Sequence, residues 1–268
     1  DDILMPGALD RVRARLAEAP DLDVIYGHSS IIDETGAMTG YHFNVEPPGP
    51  RLLQAGIISQ PSCLFRRAAC EGVGGVNPDL HYTMDWDLWI RMYESDAKFD
   101  FIDAAMSMVL WGDDTKTASL NKNRRSELQD IIHRHAPPEA RKGTFRAFVV
   151  HAAADRVWPA SLRERVRRRL RRGGPSVFGI RADGLVQPGA QLFLAHYDPA
   201  PKTRLVLEFD SDPGGLVVRG DALSGQIGRS GKTLDVRLSP AVAAGETLAL
   251  QLSPEPNATV RFLRASWQ

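Results

Sequence analysis

HYTMDWDLWIRM, His81 to Met92, places two carboxylates, Asp85 and Asp87, among large aromatics at the point where a loop passes into a helix. Trp86, Trp89, Ile90 and Tyr93 form the apolar side of that helix, and Asp87 stands four residues before Arg91, the spacing of an ion pair. Thr83 occupies an N-cap position, so the positive end of the helix dipole favours an ionised Asp85. Such a carboxylate suits a reaction in which a hydroxyl becomes a nucleophile and gives up its proton as the bond forms. Aspartate at a helix start is equally at home as a simple cap, and spacing alone leaves both readings open.

Upstream of this stretch the chain alternates helix and strand. Leu9, Val12 and Leu16 recur at helical spacing between Pro6 and Ala19, with Pro6 suited to the first turn and Pro20 ending the run. DVIYG, Asp23 to Gly27, reads as a short buried strand, and Ile31 to Tyr41 as a hairpin turning at Glu34-Thr35-Gly36. A Pro/Gly-rich loop leads to Leu52–Arg67, a short helix covers Ala68 to Gly72, and Gly74-Gly75 breaks it. Downstream, Lys98 to Val109 supplies one or two strands, and residues 122–172 are helical, ending in SLRERVRRRLRRGG. From Ser176 onward the apolar period becomes two: Leu205, Leu207, Phe209; Leu234, Val236, Leu238; Leu248, Leu250, Leu252. These short strands, separated by DPGG, SG and PEPN turns, predict a β-sandwich.

The 268 residues, 43% of them hydrophobic, suffice for one large or two ordinary domains. Formal net charge is zero, so no overall field draws the chain to nucleic acid. Cys63 and Cys70 are the only cysteines and form no CxxC pair, which fits reduced thiols in a reducing compartment. No apolar run reaches the ~20 residues of a membrane-spanning helix. The opening Asp1-Asp2, without an initiator Met, reads as a protein lacking its first part.

Asp1-Asp2 is also a pair of hard oxygen donors, suited to Mg²⁺ or Mn²⁺ when substrate phosphates complete the shell, or else two solvated terminal carboxylates. DDILMPGAL, then DVIYG followed by IIDETG, then SQPSCLFRRAACEGVGGVNPDLHYTMDWDLWIRM, resembles the C-terminal half of a family 2 glycosyltransferase catalytic domain of the GT-A fold. The resemblance covers about the first 120 residues and rests on the order and spacing of these motifs. It implies that Asp2, with Asp1, binds a divalent cation bridging the diphosphate of a nucleotide-sugar donor. It also implies that Asp85 is the catalytic base, that Gln60 and Trp86 line the acceptor side, and that Lys116 meets phosphate. Trp86 is otherwise a core residue, and Lys116 otherwise faces solvent.

Two departures stand out. Met84 replaces the usual glutamate before the base, and in WGDDTKT, Trp111 to Thr117, Gly112 occupies the place of a frequent histidine, with Asp113 and Asp114 as oxygen ligands or turn formers. The portion that holds the nucleobase in this family has no counterpart, so this chain alone is expected to be inactive.

The arginine-rich stretch 161–172 fits a helix lying on an anionic membrane surface or a solvated linker packed by one stripe, Leu162, Val166 and Leu170. Without interleaved aromatics it does not suit nucleic acid. The expectation is therefore an α/β domain of incomplete GT-A type at 1–120, a helical Arg-rich linker at 121–174 and an all-β sandwich at 175–268. Its parent reaction is inverting transfer of a sugar from a nucleotide-sugar to a glycan or lipid-linked hydroxyl, in the cytoplasm, with peripheral contact at the inner membrane face through 161–172. The alternative is a non-catalytic carbohydrate-binding or interaction protein acting through the sandwich.

Overall fold

The computed structural model describes residues 2–112, 121–157, 172–223 and 227–268. The chain is mixed α/β, with one large, mostly antiparallel sheet and few helices. The spine of its first half is two strands, β2 (Val24–Ile32) and β5 (Phe99–Leu110), paired in parallel along the whole of β2. A short β1 (Ile3–Leu4) adds to the outer side of β5, antiparallel. On its other side β2 changes partner: β4 (Cys63–Phe65) pairs with Val24 to Tyr26, and β3 (Met38–Tyr41) with Ser30 to Ile32.

Sequence periodicity divided β2 into a strand ending at Gly27 and a hairpin arm starting at Ile31. The structure joins them, because the intervening His28, Ser29 and Ser30 are buried despite their polarity. Their side chains find partners inside the fold, which removes the penalty that polar burial otherwise carries. Gly27 is required by close packing: a Cβ there would lie 2.5 Å from Met106 Cγ and 2.8 Å from the Ile102 carbonyl, where the register of β5 shifts.

Helix α1 (Ala8–Glu18) starts two residues later than the proline signal suggests, because Gly7 takes a left-handed conformation, φ 75°, at its N-cap. That start turns Ala8 and Val12 inward and leaves Leu9 exposed. α2 (Arg67–Gly72) and α3 (Met84–Glu94) follow, and α3 buries Trp86, Leu88, Trp89, Ile90 and Met92.

α4 (Lys122–His135) and α5 (Pro138–Val157) occupy the segment read as a linker. α4 is not a free spacer: Leu128, Ile131 and Ile132 join the same apolar cluster as Trp86, Trp89 and Leu52. The arginine-rich stretch itself, apart from Arg172, lies outside the described residues, as do Asp1 and 113–120. Among the described residues no helix is long and apolar enough to cross a membrane.

The C-terminal half begins with a small hairpin, β6 (Ser176–Val177) and β7 (Ile180–Arg181). β8 (Ala190–Ala195), β10 (Leu216–Arg219) and β13 (Thr247–Pro254) form a three-stranded antiparallel sheet with β13 central. β9 (Lys202–Phe209), β11 (Gly228–Ser230), β12 (Thr233–Val242) and β14 (Phe262–Trp267) form the opposite layer. The inward residues of both layers share one core, and the nine apolar positions singled out by their period of two are each at most 5% exposed. This layer continues into the first half through β14, which meets β3 at Ala265 and Met38. One nine-stranded sheet therefore runs through both halves, with β8, β10 and β13 in a separate sheet.

Candidate active site

The head of α3 lies beside Cys63 at the start of β4, and β4 and β3 are the two partners between which β2 changes. The gap between those two partners is closed by the turn Gln60–Ser62, whose Ser62 hydroxyl donates to the His28 carbonyl at 2.9 Å. Behind it lies a set of hydroxyls that periodicity did not reveal. Ser29 Oγ is 2.6 Å from Ser62 Oγ, 2.6 Å from Ser59 Oγ and 2.9 Å from Ser107 Oγ. Mutual hydrogen bonding makes burial of these serines tolerable and ties β2, β5 and the turn together.

Asp85 sits in the first turn of α3 and is partly buried. Its Oδ1 accepts the Trp86 N–H at 2.8 Å. Burial pushes its carboxyl above the ordinary value, outweighing the lowering by the Trp86 N–H and its own backbone N–H. The direction is opposite to that expected from a cap bathed in the helix dipole. Its neighbour is Cys63 at the start of β4, whose thiol is pushed far up, first by burial and then by the Asp85 charge, so this cysteine is an inert core thiol. Thr83 precedes the helix but makes no side-chain capping bond.

Two other carboxylates hold Asp85 in place. Asp87 is buried and its Oδ2 accepts Arg91 Nε at 2.8 Å, the ion pair expected from spacing. Arg91 also donates to the carbonyls of Val73 and Gly75, so the pair fastens the glycine loop to α3. Glu127 on α4 accepts the backbone N–H groups of His81, Tyr82 and Thr83 at 3.0, 2.8 and 3.0 Å, and the Thr83 hydroxyl at 3.2 Å. Burial works to raise the Glu127 carboxyl, but these bonds prevail and hold it below the ordinary value. Glu127 was invisible to motif reading because it lies on a different helix, 44 residues beyond Thr83.

Of the remaining residues implied by resemblance, Gln60 is exposed on the turn beside the serines. Trp86 is 5% exposed, and its indole N–H donates to the Leu52 carbonyl at 2.6 Å. Its ring lies 6.1 Å from that of Phe148, which places it in the core rather than open to an acceptor. Asp2 is exposed, and its Oδ1 accepts the Leu110 N–H at 3.2 Å, at the end of β5. Asp1 and Lys116 lie outside the described residues, and so do Asp113 and Asp114.

Among the described residues no three His, Cys, Asp or Glu side chains converge on a metal position. A hard cation held by one or two carboxylates plus phosphate and water needs no such convergence, and Asp2 keeps one oxygen free of protein partners among the described residues. At the Gly112 position, a Cβ would lie 2.5 Å from Oε1 of the exposed Glu34, whose side chain would have to shift to admit a larger residue. No known protein family and no curated protein matches this chain.

Proposed function

We propose that the first half of this chain is the acceptor side of a sugar-transferring enzyme resembling family 2 glycosyltransferases, with Asp85 as the base that takes the acceptor hydroxyl proton. The observation that carries this reading is the burial-raised carboxyl of Asp85 at the head of α3. A carboxylate with an elevated proton affinity, fixed by a backbone N–H, is better suited to general-base work than a solvated one. Asp87 and Glu127 are positioning residues, since they hold α3 and the preceding loop but are engaged with Arg91 and with backbone amides. Gln60 is the exposed polar group next to the serines and is assigned to the acceptor's hydroxyls.

The donor on this reading is a nucleotide-sugar and the acceptor a glycan or lipid-linked hydroxyl, with inversion in a single displacement. Asp2 and Asp1 would hold a divalent cation, whose chemistry when bound is to offset diphosphate charge. Lys116 and the membrane-facing role of 161–172 belong to the same proposal.

The test is transfer by a chain that carries this sequence together with a nucleotide-binding portion. Asp85→Asn should lower turnover by about 10²–10⁴-fold, the usual contribution of a general base, without loss of folded protein. Unchanged turnover removes Asp85 from the mechanism.

A further inference from the structure

Away from α3, a cavity of about 230 Å³ opens where the two halves of the molecule meet. Its apolar lining includes Phe178 and Phe193, and its polar lining is Arg11 from α1, Asp103 from the irregular part of β5, Gln191 from β8 and Thr247 from β13. Neither half could form it alone. It shares none of these residues with the Asp85 neighbourhood.

The site carries marks of construction. Phe178 has φ 50°, a left-handed conformation that a bulky side chain rarely adopts. Edge-to-face contacts hold its ring, at centroid distances of 5.1 Å to His28, 5.2 Å to Tyr41 and 4.9 Å to Phe193. His28 Nε2 lies 3.0 Å from Asp103 Oδ1, and because a carboxylate only accepts, the ring nitrogen donates. Burial lowers the His28 pKa, ahead of the opposing effect of Asp103, so the imidazole is a neutral prop. The His28 side chain is 8% exposed and that of Asp103 is 78% exposed, so the prop is inside and the carboxylate is presented outward. Among the described residues, Arg11, Gln191 and Thr247 have no side-chain hydrogen bond to protein.

We infer that this junction pocket binds one neutral sugar ring. The rim offers donors and acceptors in several directions, as a polyol requires, and the phenylalanines offer apolar surface to its C–H face. Arg11 and Asp103 oppose each other in charge, so the rim favours neither an anion nor a cation. The volume is below the ~300–1,000 Å³ of pockets for drug-sized ligands, which suits a single ring and not a nucleotide. An amino-acid zwitterion would answer the two charges but leave Gln191 and Thr247 unused. The inference does not depend on the role of Asp85.

Saturation-transfer NMR on the chain, with the methyl glycosides of glucose, galactose, mannose and N-acetylglucosamine as probes, tests it. At least one glycoside should receive saturation, with millimolar affinity. Thr247→Trp, which fills the mouth from an exposed position, should abolish the signal, and Gln191→Ala should weaken binding by about tenfold, the loss of one hydrogen-bonding side chain. Arg13→Ala, on the same helix as Arg11 but outside the pocket lining, should leave it unchanged. The inference is overturned if no glycoside receives saturation, if the signal survives Thr247→Trp, if Arg13→Ala removes it, or if glycine or inorganic phosphate displaces the sugar.

Discussion

The two-layer β half and the head of α3 differ in what they bury. On the strands of the β half the inward positions are Leu205, Leu207, Phe209, Leu234, Val236, Leu248, Leu250 and their neighbours, regular in period and apolar, while its buried polar groups, Asp183 and His196, lie just beyond strand ends. At the head of α3, and in the serine cluster that ties β2, β5 and the Gln60–Ser62 turn, the buried set includes Asp87, Ser29, Ser62 and Ser107, with Asp85 and Glu127 partly enclosed. Apolar burial is repaid wherever two faces meet, so it encodes the fold. Buried polar groups are tolerated only with particular partners, so they encode a site.

That contrast can be strained most severely from the β side. Phe209→Ala removes a ring that is 1% exposed and packed 6.3 Å from Phe262, and should cost about 3–5 kcal/mol in denaturant unfolding. A loss below ~1 kcal/mol would mean that the shared core does not hold the two layers. Asp87→Ala should cost about 3 kcal/mol, because it leaves the largely buried Arg91 without its carboxylate. Glu127→Gln should cost about 1–3 kcal/mol through weakened bonds to the 81–83 loop, read as faster amide exchange at Tyr82 and Thr83. Since the Glu127 carboxyl lies below its ordinary 4.5, its contribution is present above that pH and is lost as pH falls through the folded value.

The smallest effect has the opposite sign. The Asp85 carboxyl is raised in the folded state, so stability declines as pH rises from the ordinary 3.8 through the folded value, and the penalty is complete above it. Asp85→Asn should therefore raise the unfolding temperature near pH 7 and leave it unchanged below pH 3.8. A carboxylate that the fold would be more stable without is what a functional residue looks like in stability measurements.

Much of this contrast was legible in the sequence, unevenly. β9, β12 and β13 followed from alternation because each has one face inward and one outward. α3 and its Asp87–Arg91 pair followed from spacing, since both lie within one helix. β2 was divided in two because His28, Ser29 and Ser30 interrupt the apolar run, and their partners lie 30 to 78 residues away. Glu127 and the His28–Asp103 pair were missed for the same reason. The raised carboxyl of Asp85 could not be read at all: helix position argues for an ionised cap, and only the packing around it reverses the direction.

The most direct measurement is a carbon-13 titration of the Asp85 side-chain carboxyl in the folded chain. The account predicts a midpoint clearly above the ordinary 3.8. A midpoint at or below that value would make Asp85 a helix cap and contradict its assignment as the base.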